Sequence, residues 1–172
     1  MYRVLIMAAI IFVNYLLQTT LFRSIEILGA VPDTALVIIV SYAILRNDVE
    51  GAIFGFFAGL AHDLMGGYYI GLYAMLGMLT GYFSGKPFKD FFHHIHFLTF
   101  FVVLIASVGY QLFYFFIIFL FQGNINLSYY MRAIIMPKTI YTAVAAIPVY
   151  SLLYVINGRI ERRELAQRGL SR

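Results

Sequence analysis

The sequence contains no cysteine, and Asp, Glu, Lys and Arg together make up only 12% of its 172 residues. The first absence excludes disulfides and thiolate metal sites, and it leaves the redox compartment undetermined. The second excludes an ordinary soluble domain, which carries about twice that charge. The motifs of common catalytic sites are missing too: there is no G-x-S-x-G elbow, Walker A loop, H-E-x-x-H pair or dinucleotide fingerprint. What fills the chain is apolar: 62% of it is hydrophobic. Several runs reach or approach the roughly 18–20 residues that cross a bilayer. This is the composition of one compact membrane bundle with no room for a separate soluble domain. The 14 Tyr and 17 Phe fill its core and interfaces and require no cofactor. The net charge of +4 is no nucleic-acid signature, because the basic residues sit in loops and at the C-terminus.

Six spans are expected, at residues 4–22, 32–45, 51–65, 69–84, 97–121 and 133–156, within a membrane domain covering 1–158. The first resembles a signal peptide, but its apolar run is too long, and Asn14, Gln18, Thr19 and Thr20 leave no small-x-small cleavage site. It reads as a retained span. Gly29 reads as a helix stop. Pro32 suits the first turn of span 2, where its missing N–H costs nothing, and Asp33 complements the positive helix end. Gly66-Gly67 breaks span 3, Gly85 and Pro87 end span 4, and Asn157-Gly158 caps span 6. Residues 159–172 form a basic tail able to continue span 6 as a surface helix.

Spans 2 and 3 are short for a bilayer core of about 30 Å. Flanking residues extend them, the bilayer thins around them, or they form a re-entrant hairpin. The loop between them carries Arg46, Asp48 and Glu50. Burying these at the midplane would cost roughly 2.5 kcal/mol or more each, which argues for crossing. The number of crossings is even in every case, so both termini share one side. That side collects Arg3, Arg46, Lys86, Lys89, Arg159, Arg162, Arg163, Arg168 and Arg172, against Arg23 and Arg132 opposite. The bias places both termini in the cytoplasm of a multi-pass protein.

Two glycine series recur every fourth residue: Gly51, Gly55, Gly59 and Gly77, Gly81, Gly85. Each forms one helix stripe that lets another backbone approach closely. The stripes either hold spans 3 and 4 together or dock a partner's transmembrane helix. Asp63 lies beside His62 at the non-cytoplasmic end of span 3. Neighbours in sequence point about 100° apart on a helix, so they make no catalytic pair alone. Asp63 is then a proton or substrate site, a water-facing helix-end group, or the partner of a nearby base. Lys138 follows Pro137 inside span 6. It snorkels to the headgroups, or it turns inward and pairs with Asp63 or Asp33. His93, His94 and His96 lack the ligand count that zinc needs, and FKDFFHHIHF reads as an interfacial segment. Asn14, Gln18 and Gln111 are polar groups suited to interhelical hydrogen bonds.

These residues carry a resemblance. Pro32-Asp33 opening span 2, Glu50-Gly51, the block Gly55-Phe56-x-x-Gly59-Leu60-x-x-Asp63, Gly71-Leu72 and Gly81-Tyr82 resemble the rod shape-determining protein MreD family in order and spacing. Spans 5 and 6 match it only in hydrophobicity. The resemblance implies an all-α, six-transmembrane-helix bundle similar to the substrate-binding subunit of energy-coupling-factor transporters. It implies a non-enzymatic component of bacterial cell elongation in the cytoplasmic membrane, without metal or cofactor. Its implied partners are MreC, then the MreB filament and the RodA–transpeptidase pair that makes lateral-wall peptidoglycan, with membrane lipid around it. It also makes Gly55 to Asp63 and Gly71-Leu72 the segment to test for docking. A vitamin-type transport subunit is the alternative, to be recognised by a ligand-sized polar pocket near the outer face. A membrane enzyme would need Asp33, His62, Asp63 and Lys138 to converge.

Overall fold

The computed structural model of the chain describes residues 2–24, 31–66, 70–85, 96–122 and 127–169, and it is all-helical among them. In chain order the helices are α1 (Tyr2–Ser24), α2 (Thr34–Leu45), α3 (Asp48–Gly66), α4 (Leu72–Gly85) and α5 (His96–Gln122). A single turn, α6 (Leu127–Tyr130), then runs through a π-helical turn at Met131–Ile135 into α7 (Met136–Gly169). Segments within α5 (Thr99–Ile117) and α7 (Met136–Ile160) are long and apolar enough to cross a membrane. Gly29, Gly67, Pro87, His93 and His94 lie outside the described residues.

Helix α2 is the axle of the bundle. Eleven of its twelve residues are buried, and it packs against α1, α3, α4, α5 and α7. A helix that is apolar all round belongs inside protein. Its length of about 18 Å is short for a bilayer, but its sides meet other helices. Val37, Val40, Phe54, Val103, Ala146 and Tyr150 form the middle of the core around it. Helix α1 lies outermost. Described side-chain hydrogen bonds tie it to α2 where Gln18 accepts from the Thr34 hydroxyl at 3.3 Å and Met7 Sδ from the Tyr42 hydroxyl at 3.7 Å.

Three boundaries differ from the sequence reading, each for a local reason. Helix α2 starts at Thr34 rather than at Pro32, because Asp33 is its N-cap: Oδ1 accepts the Leu36 N–H at 3.1 Å. Helix α3 starts at Asp48, three residues early. Asn47 Oδ1 accepts the Glu50 N–H at 2.8 Å, and Asp48 and Glu50 sit in the first turn, where negative charge is favoured. At 19 residues α3 is about 28 Å long, so span 3 is not short. Helix α7 passes straight through Asn157-Gly158 and carries the tail to Gly169. One glycine in a helix costs only about 1 kcal/mol. Asn157 is held in place, its Oδ1 accepting from Arg46 Nε at 2.7 Å.

Candidate functional site

Helices α3 and α4 form an antiparallel hairpin whose backbones touch. A Cβ added to Gly55 would strike the carbonyl of Gly77, and one added to Gly77 would strike the carbonyl of Gly55. A Cβ on Gly81 would likewise strike the carbonyl of Gly51, and one on Gly51 would meet both Ala43 of α2 and the carbonyl of Gly81. Gly59 faces the backbone of Tyr73 and Ala74, and Gly85 faces that of Asn47 and Asp48. The structure thus places all six glycines of the two stripes against backbone inside one chain, four of them opposite another glycine. Bare backbones at this separation gain dispersion and Cα–H···O contacts along the whole seam.

The α3 stripe does not stop at Gly59. The next fourth residue is Asp63, 3% exposed. Its Oδ2 accepts the N–H groups of Gly71 and Ala74 at 3.0 and 2.9 Å, and its Oδ1 accepts that of Tyr73 at 3.1 Å. One carboxylate therefore caps the start of α4 from the neighbouring helix, where the helix dipole favours an anion. Gly71 has φ of +96°, a left-handed conformation that a side chain resists, and this aims its N–H at Asp63. The pattern Gly55, Gly59, Asp63, Gly71 has one geometric explanation. Gly55 and Gly59 bring the helices together, Asp63 fixes their register, and Gly71 lets the turn close.

Asp33 does a second job beside capping α2. Its Oδ2 lies 3.7 Å from Lys138 Nζ, and its N–H donates to Thr142 Oγ1 at 3.0 Å. The Thr142 hydroxyl donates in turn to the Lys138 carbonyl at 2.7 Å. These contacts tie the start of α2 to the start of α7. Lys138 thus turns inward, and the pair expected between it and either aspartate is made with Asp33. Asp63 does not reach Lys138, because both of its oxygens serve the α4 backbone. His62 stacks on Tyr73 with ring centroids 4.3 Å apart and makes no contact with the Asp63 carboxylate.

Nearby, Gln111 Nε2 donates to Thr139 Oγ1 at 2.9 Å and to Ser107 Oγ at 3.2 Å, joining α5 to α7. Asp33, His62, Tyr73 and Tyr110 surround a cavity of about 10 Å³. Asn14, Gln18 and His62 line another of about 20 Å³. Each is water-sized. The carboxylates are spent on helix starts and one ammonium, so this end of the molecule is built to hold helices together. Among the described residues no three His, Cys, Asp or Glu side chains gather as a metal site. Asn47, Thr142 and the stripe position of Asp63 escaped the sequence reading. The every-fourth spacing that marked the glycines would have found Asp63.

Residues 1–157 match the family model described as rod shape-determining protein MreD. The chain belongs to that family. The match spans the glycine seam, Asp63 and the Asp33–Lys138 pair. No curated protein and no solved structure matches the chain. Membership places this MreD-family chain in rod shape determination, in a family of structural components rather than enzymes. With the apolar helices α5 and α7 it makes the chain a membrane protein.

Proposed function

We propose that this chain is a non-enzymatic, multi-pass scaffold of the bacterial cell-elongation machinery. In this reading it binds MreC in the cytoplasmic membrane and supports lateral-wall peptidoglycan synthesis alongside the MreB filament and the RodA–transpeptidase pair. Helices α1, α2, α3, α4, α5 and α7 are its six spans. The Arg46 end and both termini face the cytoplasm, where the basic residues collect. The bundle is taken to be of the energy-coupling-factor substrate-subunit type.

The observation that carries the reading is the family match over residues 1–157 together with what its polar residues do. Asp33, Asp63, Lys138 and Gln111 bind helices to one another. Small-molecule sites run to about 300–1,000 Å³ and need converging polar groups. The cavities beside Asp33 and His62 measure only about 10 and 20 Å³, and the grooves of about 350–470 Å³ are lined mostly by apolar side chains. The outer faces are apolar, with Phe57, Leu64, Phe83, Ile105 and Leu152 exposed, as suits lipid and partner helices.

Depleting the protein in its own host and imaging the cells tests this directly. Rods that widen and round up, with MreC lost from co-purification, are the expected result. Unchanged shape with failed uptake of a nutrient overturns it in favour of a transport subunit.

A further inference from the structure

Helix α4 has a second face. Opposite the glycine seam it meets α5 only sparingly, and a groove of about 470 Å³ runs between them. Thr80, Phe83 and Ser84 of α4 and Ile105, Ala106 and Gly109 of α5 line it. Two features of this groove have no explanation inside the chain. Gly109, midway along α5, has nothing within 4 Å of where its Cβ would be, although the six seam glycines all meet backbone. Ser84 is 5% exposed, it lines the groove, and its hydroxyl has no hydrogen-bond partner among the described residues. The rim is apolar: Ile105 is 69% exposed and Phe83 64%.

We infer that the α4/α5 groove is the seat of one transmembrane helix of a partner protein. That helix carries a Ser, Thr, Asn or Gln opposite Ser84 and aliphatic side chains over Gly109. An acyl chain fills apolar space but offers nothing to the Ser84 hydroxyl, whereas a polar helix residue does, and in lipid such groups are drawn into interhelical hydrogen bonds. A second copy presenting the same face would bring concave against concave, which a two-fold interface cannot interdigitate. A single convex helix fits both features. Taking that helix to be MreC's rests on the scaffold reading above, and the groove gives that reading a place on the molecule.

The natural lack of cysteine makes the test clean. Ile105→Cys in the groove and Leu152→Cys on the α1/α7 surface are each co-expressed with MreC bearing single cysteines along its transmembrane helix, then oxidised in native membranes. The expected result is cross-links from Ile105→Cys that recur every three to four MreC positions, and none from Leu152→Cys. Gly109→Leu, which fills the groove, lowers the cross-link by about tenfold or more with the chain still monodisperse. Ser84→Ala lowers it about threefold, the loss of one interhelical hydrogen bond in lipid. Cross-linking between two copies of this chain overturns the inference. So does cross-linking of MreC from Leu152→Cys, or MreC retained in full by Gly109→Leu. In the last case, loss of a co-purifying phospholipid from Gly109→Leu identifies the groove as a lipid site. If MreC fails to co-purify with the unmodified chain, the scaffold reading falls and this assignment with it. If MreC co-purifies but avoids the groove, only the assignment falls.

Discussion

The two faces of α4 use small residues in opposite ways. On the α3 side, Gly77, Gly81 and Gly85 lie against backbone, and a single methyl would collide with a carbonyl or a peptide unit. On the α5 side, Gly109 faces open space and Ser84 offers an unused hydroxyl. A small residue in a membrane helix marks a close approach, but it does not say whose. The seam is consumed in folding, and the groove is left over after it. Substitutions should therefore damage the first through stability and the second through association.

The largest effect belongs to the seam. Gly55→Leu puts four carbon atoms where the Gly77 backbone already sits, and no rotamer avoids a main-chain carbonyl. Overpacking of a well-filled core costs about 1–3 kcal/mol, and here the obstacle is backbone, so a cost at or above the top of that range is expected. Yield and monodispersity in detergent should collapse, and Gly77→Leu should behave alike. Gly109→Leu is the control and should leave both unchanged. If Gly55→Leu behaves like Gly109→Leu, the two faces do not differ and the seam is wrongly described.

Next comes the lock on the seam. Asp63→Ala removes the acceptor of three N–H groups at the start of α4. Losing a helix cap costs about 0.5–2 kcal/mol, and a buried site without water lies at the upper end. The thermal midpoint in detergent should fall clearly, and Asp63→Asn should recover part of it, since one amide oxygen still accepts. Gly71→Ala forces a side chain into φ of +96° and should cost about 1 kcal/mol. An Asp63→Ala chain as stable as the original would show that the carboxylate does not hold the register.

The sequence makes the seam legible and hides the lock, for a physical reason. A glycine stripe is periodic, so Gly51, Gly55 and Gly59 are visible without coordinates. The partners of Asp63 are backbone N–H groups, which every residue carries, so no pairing pattern betrays them. The start of α3 at Asp48 depends on Asn47 as a cap, a signal overshadowed by the surrounding charges. Asn157-Gly158 looks like a helix end, but the Arg46 contact fixes Asn157 within a helix that continues. Gly109 has no glycine four residues away and Ser84 belongs to no motif, so the groove emerges only when α4 and α5 are placed side by side.

The smallest effect separates the two aspartates. Both lie near Lys138 in the sequence reading, but the structure gives the lysine to Asp33 at 3.7 Å. That distance is long, and the Lys138 side chain is 33% exposed, so the pair contributes under about 1 kcal/mol. Asp33→Asn isolates it, because Asn caps a helix as well as Asp and only the charge is lost. A fall in thermal midpoint well below that of Asp63→Ala is expected. Lys138→Glu should be worse than Asp33→Asn, since it sets two carboxylates against each other at the mouth of α2. Combining Lys138→Glu with Asp33→Asn should recover part of that loss, and combining it with Asp63→Asn should recover none. Recovery through Asp63 instead would move the lysine to the seam, and the lock and the pair would then be one network rather than two.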